Sequence, residues 1–143
     1  MVKVKHIHRF KVYFGDTDAA GIVYYPNFYK WMDQASAELV AKAVLPTSRL
    51  YKEEKILLPL LEAFCKFQSP LFFEDIVDVH SEVTEINSKT FRVEHVFKRE
   101  EEFIAKGYEI KAWTRKKEEK LKAEPIPNDI RKKLEFDVES TIS

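Results

Sequence analysis

Apolar and polar residues alternate near the start of the chain, and the apolar period then lengthens to that of a helix. Every second residue from Val4 to Phe14 is apolar or histidine, which predicts a strand with one inward face. From about Pro26 the apolar residues recur every three or four positions, which predicts a long helix with proline in its first turn. Its apolar stripe consists of Phe28, Trp31, Met32, Ala35, Leu39 and Ala43.

The rest of the chain is mostly strand-like. A short helix is expected from about Pro46 to Glu54, followed by the dense apolar segment Ile56–Phe67, where Pro59 indicates an irregular start. The acid–base run from Arg115 to Lys122 is expected to be a solvated hairpin end. The remaining predicted elements are the strands Ile76–Ile86, Lys89–Lys98 and Phe103–Arg115, and a terminal helix capped by Asn128 or Asp129.

This order of elements predicts an α+β fold. One strand, a long helix and then four long antiparallel strands favour a single sheet with the helix packed on one face. With 143 residues, of which 45% are hydrophobic and 34% charged, the chain suits one globular domain. We therefore expect a single domain over residues 1–143.

Composition excludes several kinds of function. Lys and Arg number 24, as do Asp and Glu, so the net charge of zero argues against a nucleic-acid partner. The three glycines, Gly15, Gly21 and Gly107, cannot form a dinucleotide fingerprint, a P-loop or a G-x-S-x-G elbow. The single cysteine, Cys65, excludes four-cysteine zinc sites and an internal disulfide, which fits a reducing compartment.

Targeting signals are also missing from the sequence. No apolar run reaches the ~18 residues of a membrane span, and the N-terminus lacks the apolar core of a signal peptide. We therefore expect a cytoplasmic protein with no membrane partner. Its chemistry has to use carboxylates, hydroxyls or backbone groups.

The loop between the first strand and the long helix carries two carboxylates, Asp16 and Asp18. The free N–H groups at the start of a helix stabilise negative charge. A carboxylate beside such a site can attack a carbonyl or activate water while the N–H groups hold the developing oxyanion. The alternative is purely structural, with Asp16 or Asp18 capping the helix and Gly21 serving as a turn residue.

A strong resemblance to the N-terminal motif of the 4-hydroxybenzoyl-CoA thioesterases is carried by F-G-D-T-D-A-A-G-I-V-Y-Y-P-N-F-Y-K-W-M-D, which begins at Phe14. It is dense from about Phe10 to Ser36 and looser to about Ile130. The resemblance implies a hot-dog fold, a five-stranded antiparallel sheet wrapped around a long central helix. It also implies acyl-CoA thioester hydrolysis, with the acyl group, aromatic or not, left open.

The resemblance assigns roles to four residues of the loop and helix start. Asp18 aligns with the catalytic carboxylate, as nucleophile or general base, and the backbone N–H of Tyr25 with the group that polarises the thioester carbonyl. Asp16 is expected to shape the loop, and Asn27, a candidate substrate-binding residue, to order it by hydrogen bonds. A related branch of the superfamily has a catalytic histidine where this chain has Pro26, so the motif here contains no imidazole.

Lys89 is the candidate for coenzyme A binding. It matches a basic position that contacts the coenzyme A phosphates in the family, whereas Asn87 and Ser88 stand where the family has arginines. The alternative is that Lys89 is an ordinary surface charge. The resemblance further implies a homodimer with sites at the subunit interface, commonly assembled into a tetramer.

The remaining candidates have weaker support. His6 and His8 share one strand face, but two ligands without a third do not define a metal site, and we expect none. His80 and His95 are expected to be structural, and Cys65, Phe28 and Trp31 to lie in the core. No bound cofactor is required, because coenzyme A is part of the substrate.

Three functions remain open at this point. The first is an acyl-CoA thioesterase. The second is a thioesterase that acts on acyl carrier protein or on aliphatic acyl-CoA. The third is a non-catalytic acyl-CoA-binding protein, against which the intact Asp18 argues, since a pure binder has no need of a carboxylate beside a polarised thioester.

Overall fold

The computed structural model describes residues 4–135, so the predicted domain limits at residues 1 and 143 lie outside the described part. Within the described residues there are three α-helices: α1 (Pro26–Ala43), α2 (Thr47–Glu54) and α3 (Asn128–Glu135). The strands are β1 (Lys5–Lys11), β2 (Ile56–Leu57), β3 (Leu60–Phe67), β4 (Ile76–Ile86), β5 (Thr90–Arg99), β6 (Glu102–Ala112), β7 (Thr114–Lys117) and β8 (Lys120–Ala123).

Five of these strands form one antiparallel sheet in the order β1-β4-β5-β6-β3. The prediction of an α+β fold with a five-stranded antiparallel sheet around a long helix is confirmed. In β1, Lys11 pairs with Ile76 and Lys5 with Glu82. The end of β1 therefore lies beside the start of β4, which places the loop after β1 at that end of the sheet.

Helix α1 packs on the inner face of the sheet. It buries Phe28, Trp31, Met32, Ala35, Ser36, Leu39 and Val40, which match the predicted stripe except that Ala43 is only half-buried. At Gly107 of β6, an added Cβ would meet the Phe64 carbonyl oxygen of β3 and lie 2.8 Å from the Met32 sulfur of α1. A side chain at this position would clash with the β3 backbone and with the Met32 side chain of α1.

The core has two apolar halves along α1. The first half contains Phe28, Trp31 and Met32 with Val77 and Phe97, at the end where the helix starts. The second half contains Leu39, Val40, Val83, Val93 and Trp113, and it is closed by Leu50 of α2, Ile56 of β2 and Leu134 of α3.

A polar layer separates the two halves. Its members are Ser36 of α1, Ser81 of β4, His95 of β5 and Glu109 of β6, each at most 2% exposed. His95 lies 3.0 Å from Glu109 through Nε2 and 2.7 Å from Ser81 through Nδ1, and the Ser36 hydroxyl donates to Glu109. The layer thus links α1 to three strands of the sheet.

Three strand predictions differ from the structure at their ends. Phe14 is 75% exposed, because β1 ends at Lys11 and a 3₁₀ turn begins at Phe14. The segment Ile56–Phe67 is divided at Pro59, since proline has no N–H to continue a ladder. The segment Phe103–Arg115 is divided at Trp113, beyond which β7 joins a second sheet, β2-β7-β8.

Strand β3 occupies one edge of the main sheet. Its exposed side chains are unusually apolar and include Leu60, Leu61, Phe64 and Phe67. An apolar sheet edge with unpaired backbone groups favours pairing with another chain. Within residues 4–135, no helix is both long and apolar enough to cross a membrane.

Candidate active site

The loop between β1 and α1 is held by backbone hydrogen bonds. Thr17 and Val23 form an isolated antiparallel bridge, and the Asp18 N–H donates to the Ile22 carbonyl over 2.9 Å. Gly21 donates to the Asp18 carbonyl over 2.9 Å and has a φ of +83°, a left-handed conformation that favours glycine. The loop therefore doubles back on itself and presents Asp18 at its tip.

Asp16 faces into this loop. One carboxylate oxygen accepts a 2.9 Å hydrogen bond from the Tyr13 N–H, and the Asp16 carbonyl accepts from the Tyr24 N–H and from the Asn27 side-chain amide, each over 2.9 Å. The Lys30 ammonium lies 3.9 Å from the other carboxylate oxygen. Asp16 and Asn27 therefore stabilise the conformation of the loop between β1 and α1.

Asp18 has a different environment. It is exposed, and its Oδ1 accepts a 2.9 Å hydrogen bond from the Ala20 N–H two residues later. That bond fixes the side-chain direction and leaves Oδ2 without a partner among residues 4–135. The two carboxylates of the motif therefore differ in exposure: each accepts one backbone N–H, but the Asp16 side chain is only 18% exposed and Asp18 faces solvent.

The helix start supplies an unpaired donor. Tyr25 already has helical angles, φ −57° and ψ −32°, and its N–H finds no acceptor among residues 4–135. Pro26 has no N–H, while those of Asn27 and Phe28 are bonded to the carbonyls of Tyr24 and Tyr25 over 3.0 and 3.1 Å. The Tyr25 N–H is therefore the donor left for a ligand at the positive end of the helix dipole.

An apolar pocket of about 410 Å³, the helix-start pocket, opens beside this donor. Its lining includes Ile22, Tyr25, Phe28, Phe67, Pro70 and Leu71. Phe67 contacts both Tyr25 and Phe28 edge to face, with ring centroids 6.3 and 4.9 Å apart. Because Ile22 also pairs with the Asp18 backbone, the pocket adjoins the loop that carries Asp18. The arrangement suits an acyl group whose carbonyl lies at the helix start.

Lys89 lies far from this loop in the same chain. It follows β4, whereas the Asp18 loop lies near the start of that strand, and eleven residues of strand span about 30 Å. Its side chain is exposed, and its carbonyl accepts a 2.8 Å hydrogen bond from the Trp113 N–H. The structure therefore does not bring Lys89 and Asp18 together within one subunit.

The two strand histidines bind a carboxylate of α1. His6 Nε2 lies 2.8 Å from one Glu38 oxygen and His8 Nδ1 2.7 Å from the other. These pairs fasten the edge strand β1 to the helix. Among the described residues, no three His, Cys, Asp or Glu side chains are placed to hold a metal ion.

The other predicted core residues are buried as expected. Phe28 and Trp31 are each 4% exposed, and His95 lies in the polar layer. His80, by contrast, is half-buried on the outer face of the sheet. Burial raises the pKa of the Cys65 thiol to about 11, so its thiolate is scarce at neutral pH.

Sequence reasoning missed the polar layer beyond His95. Its other members, Ser36, Ser81 and Glu109, occupy inward positions of elements that otherwise alternate correctly. A polar residue at the inward position of a strand or helix is the signal that could have revealed them.

Comparison with known proteins agrees with the fold. Residues 12–134 match the model of the thioesterase-like superfamily. The chain therefore belongs to the thioesterase-like superfamily, and the family predicted from its motif is confirmed.

Named relatives lie within this superfamily. The 4-hydroxybenzoyl-CoA thioesterase of Pseudomonas sp. (strain CBS-3) is 27% identical over 126 residues, which are 83% of this chain and 89% of that protein. A solved gentisyl-coenzyme A thioesterase is 41% identical with a TM-score of 0.80, covering 90% of this chain and 98% of that one. A 4-hydroxybenzoyl CoA thioesterase with an aspartate-to-asparagine mutation, complexed with 4-hydroxybenzoyl CoA, is 25% identical with a TM-score of 0.86, covering 92% and 99%.

Proposed function

We propose that this protein is an acyl-CoA thioesterase that hydrolyses aromatic acyl-CoA to the free acid and coenzyme A. The observation that carries the proposal is the unpaired Tyr25 N–H at the start of α1, beside an apolar pocket and the loop of Asp18. Relatives named for aromatic CoA thioesters support the choice of substrate class.

Each group has a defined task in this proposal. The thioester carbonyl oxygen accepts the Tyr25 N–H, so the negative charge that develops on it is stabilised by the helix start. Asp18 supplies the carboxylate that acts on the carbonyl carbon or on a water molecule. Asp16 and Asn27 hold the loop through the hydrogen bonds described above, so that Asp18 stays beside the polarised carbonyl.

Asp18 can act by two routes. In the first, its carboxylate attacks the thioester carbon, the C–S bond breaks and coenzyme A leaves, which gives a mixed anhydride of Asp18 and the acyl group. Water then hydrolyses this anhydride. In the second, Asp18 accepts a proton from a water molecule that attacks the same carbon. We favour the first route for two reasons. Pro26 occupies the position of the histidine that could share proton transfers in a related branch, and an aromatic acyl group leaves little room for water.

Isotope labelling separates these routes. In a single turnover in ¹⁸O-water, with enzyme in excess, attack by Asp18 transfers an unlabelled Asp18 oxygen to the product acid, and hydrolysis at the aspartyl carbon labels Asp18. General-base catalysis places ¹⁸O directly in the product and leaves Asp18 unlabelled. Label in the product without label in the Asp18 peptide would rule out the first route and leave the thioesterase proposal intact.

A second subunit completes the proposed site. Two copies joined antiparallel along the apolar edge of β3 extend the sheet about a two-fold axis, which reverses the strand direction in the partner. The Lys89 end of one subunit then lies toward the Asp18 end of the other. We therefore expect a homodimer, alone or within a tetramer, in which Lys89 contacts the coenzyme A phosphates of the partner's substrate.

A thiol-release assay distinguishes this proposal from the two alternatives, a thioesterase for acyl carrier protein or aliphatic esters and a non-catalytic acyl-CoA-binding protein. Thiol release is measured from benzoyl, hydroxybenzoyl and aliphatic CoA esters and from the same acyl groups on acyl carrier protein. The proposal predicts the highest kcat/KM on an aromatic CoA ester. A higher kcat/KM on acyl carrier protein conjugates or aliphatic esters would favour the alternative thioesterase instead. Binding of acyl-CoA without thiol release would show that the protein is a non-catalytic binder.

A further inference from the structure

Two histidines of β1 share one carboxylate of α1. His6 Nε2 lies 2.8 Å from one Glu38 oxygen and His8 Nδ1 lies 2.7 Å from the other, so each oxygen has its own ring partner. The second ring nitrogen of His8 lies 3.3 Å from the side-chain oxygen of Gln34, one turn earlier in the helix. We call His6, His8 and Glu38 the His–Glu cluster. The two histidine side chains are only 23% and 13% exposed, so water competes little for these hydrogen bonds.

The His–Glu cluster belongs to a series of contacts that runs antiparallel along β1 and α1. Phe10 stacks on Trp31 at one end, with ring centroids 4.2 Å apart, and the Lys42 ammonium donates to the Lys5 carbonyl over 3.0 Å at the other. Stacked rings can slide over one another, because apolar contact has no direction. Two hydrogen bonds to one carboxylate, by contrast, fix a single geometry. The cluster therefore sets the position of β1 along the axis of α1.

The two elements that the cluster joins lead into the candidate active site. β1 runs into the loop that carries Asp18, and α1 begins directly after Tyr25, whose N–H is the unpaired donor. Among the described residues β1 is an edge strand of its sheet, where it pairs with β4 alone. A shift of β1 along α1 would therefore change the separation between the two ends of the Asp18 loop.

Hydrogen bonds inside the loop depend on that separation. The Tyr24 N–H and the Asn27 side-chain amide donate to the Asp16 carbonyl. The Asp18 N–H donates to the Ile22 carbonyl. These bonds form only while the end of β1 and the start of α1 keep their places. Because a displacement of about 1 Å, even one caused far from the chemistry, can cost about a hundredfold in rate, a small change in this separation affects catalysis.

We propose that the His–Glu cluster positions the reacting groups for thioester hydrolysis, with Glu38 as its central positioning residue. The cluster fixes the register of β1 on α1, and so holds Asp18 at its working distance from the carbonyl that the Tyr25 N–H polarises. This inference rests on the proposed function. Because the cluster does not line the helix-start pocket, its loss should change kcat and not KM.

The first test removes the shared carboxylate. Glu38→Ala should lower kcat on the best aromatic CoA ester about tenfold and leave KM within about twofold, because the loop loses its spacing while the pocket keeps its lining. Glu38→Gln retains an amide oxygen for one ring and should recover kcat to within about threefold of wild type. An unchanged kcat in Glu38→Ala, or equal losses in the two variants, would overturn the proposal.

Glu53→Ala is the matched control. Glu53 is also a helix carboxylate with 46% of its side chain exposed, as is Glu38, and it pairs with Arg49 over 2.6 Å within α2. Because this pair lies within one helix, its loss should leave kcat within about twofold of wild type. A loss in Glu53→Ala equal to that in Glu38→Ala would contradict a specific role for the cluster.

Amide hydrogen exchange tests the same role without turnover. In Glu38→Ala the Asp18 and Tyr24 amides should exchange at least about tenfold faster than in wild type, because their loop hydrogen bonds open more often. Amides of β5 and β6, in the middle of the sheet, should change by less than about twofold. Equal acceleration in the loop and in these strands would show a merely structural role and contradict the proposal.

A double variant tests whether the cluster acts through Asp18. In the Asp18→Asn enzyme the acting carboxylate is already lost, so adding Glu38→Ala should cost less than about a further twofold in kcat. A further loss of about tenfold would show that the cluster affects catalysis by another route, and would overturn the proposal. Absence of turnover by the wild type on every acyl-CoA would refute the proposed function itself, and the exchange experiment would still decide whether the cluster holds the loop.

Discussion

The two apolar halves of the core are closed to different extents. The half around Leu39 and Trp113 is covered by α2, α3 and the small second sheet. The half around Phe28 and Trp31 is bordered by the Asp18 loop and the open helix-start pocket, with Tyr24 and Tyr25 more than half exposed. Helices α2 and α3 and the second sheet therefore cover one end of the core, whereas the other end stays open to a ligand. Stability and chemistry are expected to depend on different ends.

The largest expected effect is on chemistry at the open end. Asp18→Asn should lower kcat by about 10²–10⁴-fold without a change in melting temperature, because the proposed function makes Asp18 the acting carboxylate and, among residues 4–135, its side chain bonds only within the loop. Asp16→Asn is the control and should cost less, since the Asp16 side chain is partly buried in the loop, where it accepts the Tyr13 N–H. An Asp18→Asn enzyme within tenfold of wild type, or equal losses for both variants with folds intact, would contradict this assignment.

The closed end should show the opposite behaviour. Leu50→Ala removes a side chain that is 2% exposed and covers the second half from α2. It should lower the free energy of unfolding by about 2–5 kcal/mol and leave kcat of the folded enzyme within about twofold. Denaturant melts and steady-state assays of the same preparation measure both quantities. A loss of kcat at full folding would show that the two ends are coupled.

The polar layer between the halves should make stability depend on pH. Burial acts to raise the pKa of Glu109, but hydrogen bonds from His95 and Ser36 and the Lys111 charge outweigh it and hold that pKa below the ordinary value of 4.5. A carboxylate with a lowered pKa stabilises the fold above its unfolded pKa, and this contribution disappears as the pH falls through the folded pKa.

Glu109→Gln should therefore flatten the loss of melting temperature below about pH 4.5, after allowance for its lower stability at neutral pH. Asp78→Asn is the comparison and should flatten this loss less. The pKa of Asp78 is also lowered, chiefly by its hydrogen bond from Arg9, but this pair lies on the surface, where screening weakens the interaction. Identical acid profiles for wild type and Glu109→Gln would show that the layer contributes nothing to this dependence.

The smallest expected effect concerns coenzyme A binding. Lys89→Ala should raise KM for a CoA ester several-fold at low salt with little change in kcat, the pattern of a lost uniform binding contact. Lys120→Ala, at an exposed site of β8, serves as the control. An unchanged KM would remove Lys89 from the site and favour the alternative of an ordinary surface charge.

Sequence periodicity predicted the elements that are one-sided. Helix α1 and strands β4 and β5 each have one buried face and one less buried face, so their patterns identify them. The predicted strand ends were wrong where a strand is ended by a change in hydrogen bonding and not by a change in the apolar pattern. Beyond β1, for example, the Tyr13 N–H bonds to the Asp16 carboxylate and not to another strand.

The candidate site was only partly accessible from sequence. Asp16, Asp18, Tyr25 and Asn27 lie within twelve residues, so a local motif contains them all. The position of Lys89 depends on strand register, which a motif does not encode. The polar layer combines residues from several distant elements, and only the fold brings those together.

The central claim is that the Tyr25 backbone N–H, and not its side chain, polarises the thioester, and one pair of substitutions tests it directly. Tyr25→Pro removes this donor at a position whose φ of −57° proline accepts and whose N–H has no partner within residues 4–135. Tyr25→Phe retains the N–H. Tyr25→Pro is expected to lower kcat on the best aromatic CoA ester by about 10²–10³-fold with an unchanged melting temperature, while Tyr25→Phe stays within about tenfold of wild type. A folded Tyr25→Pro enzyme that keeps wild-type kcat would contradict it.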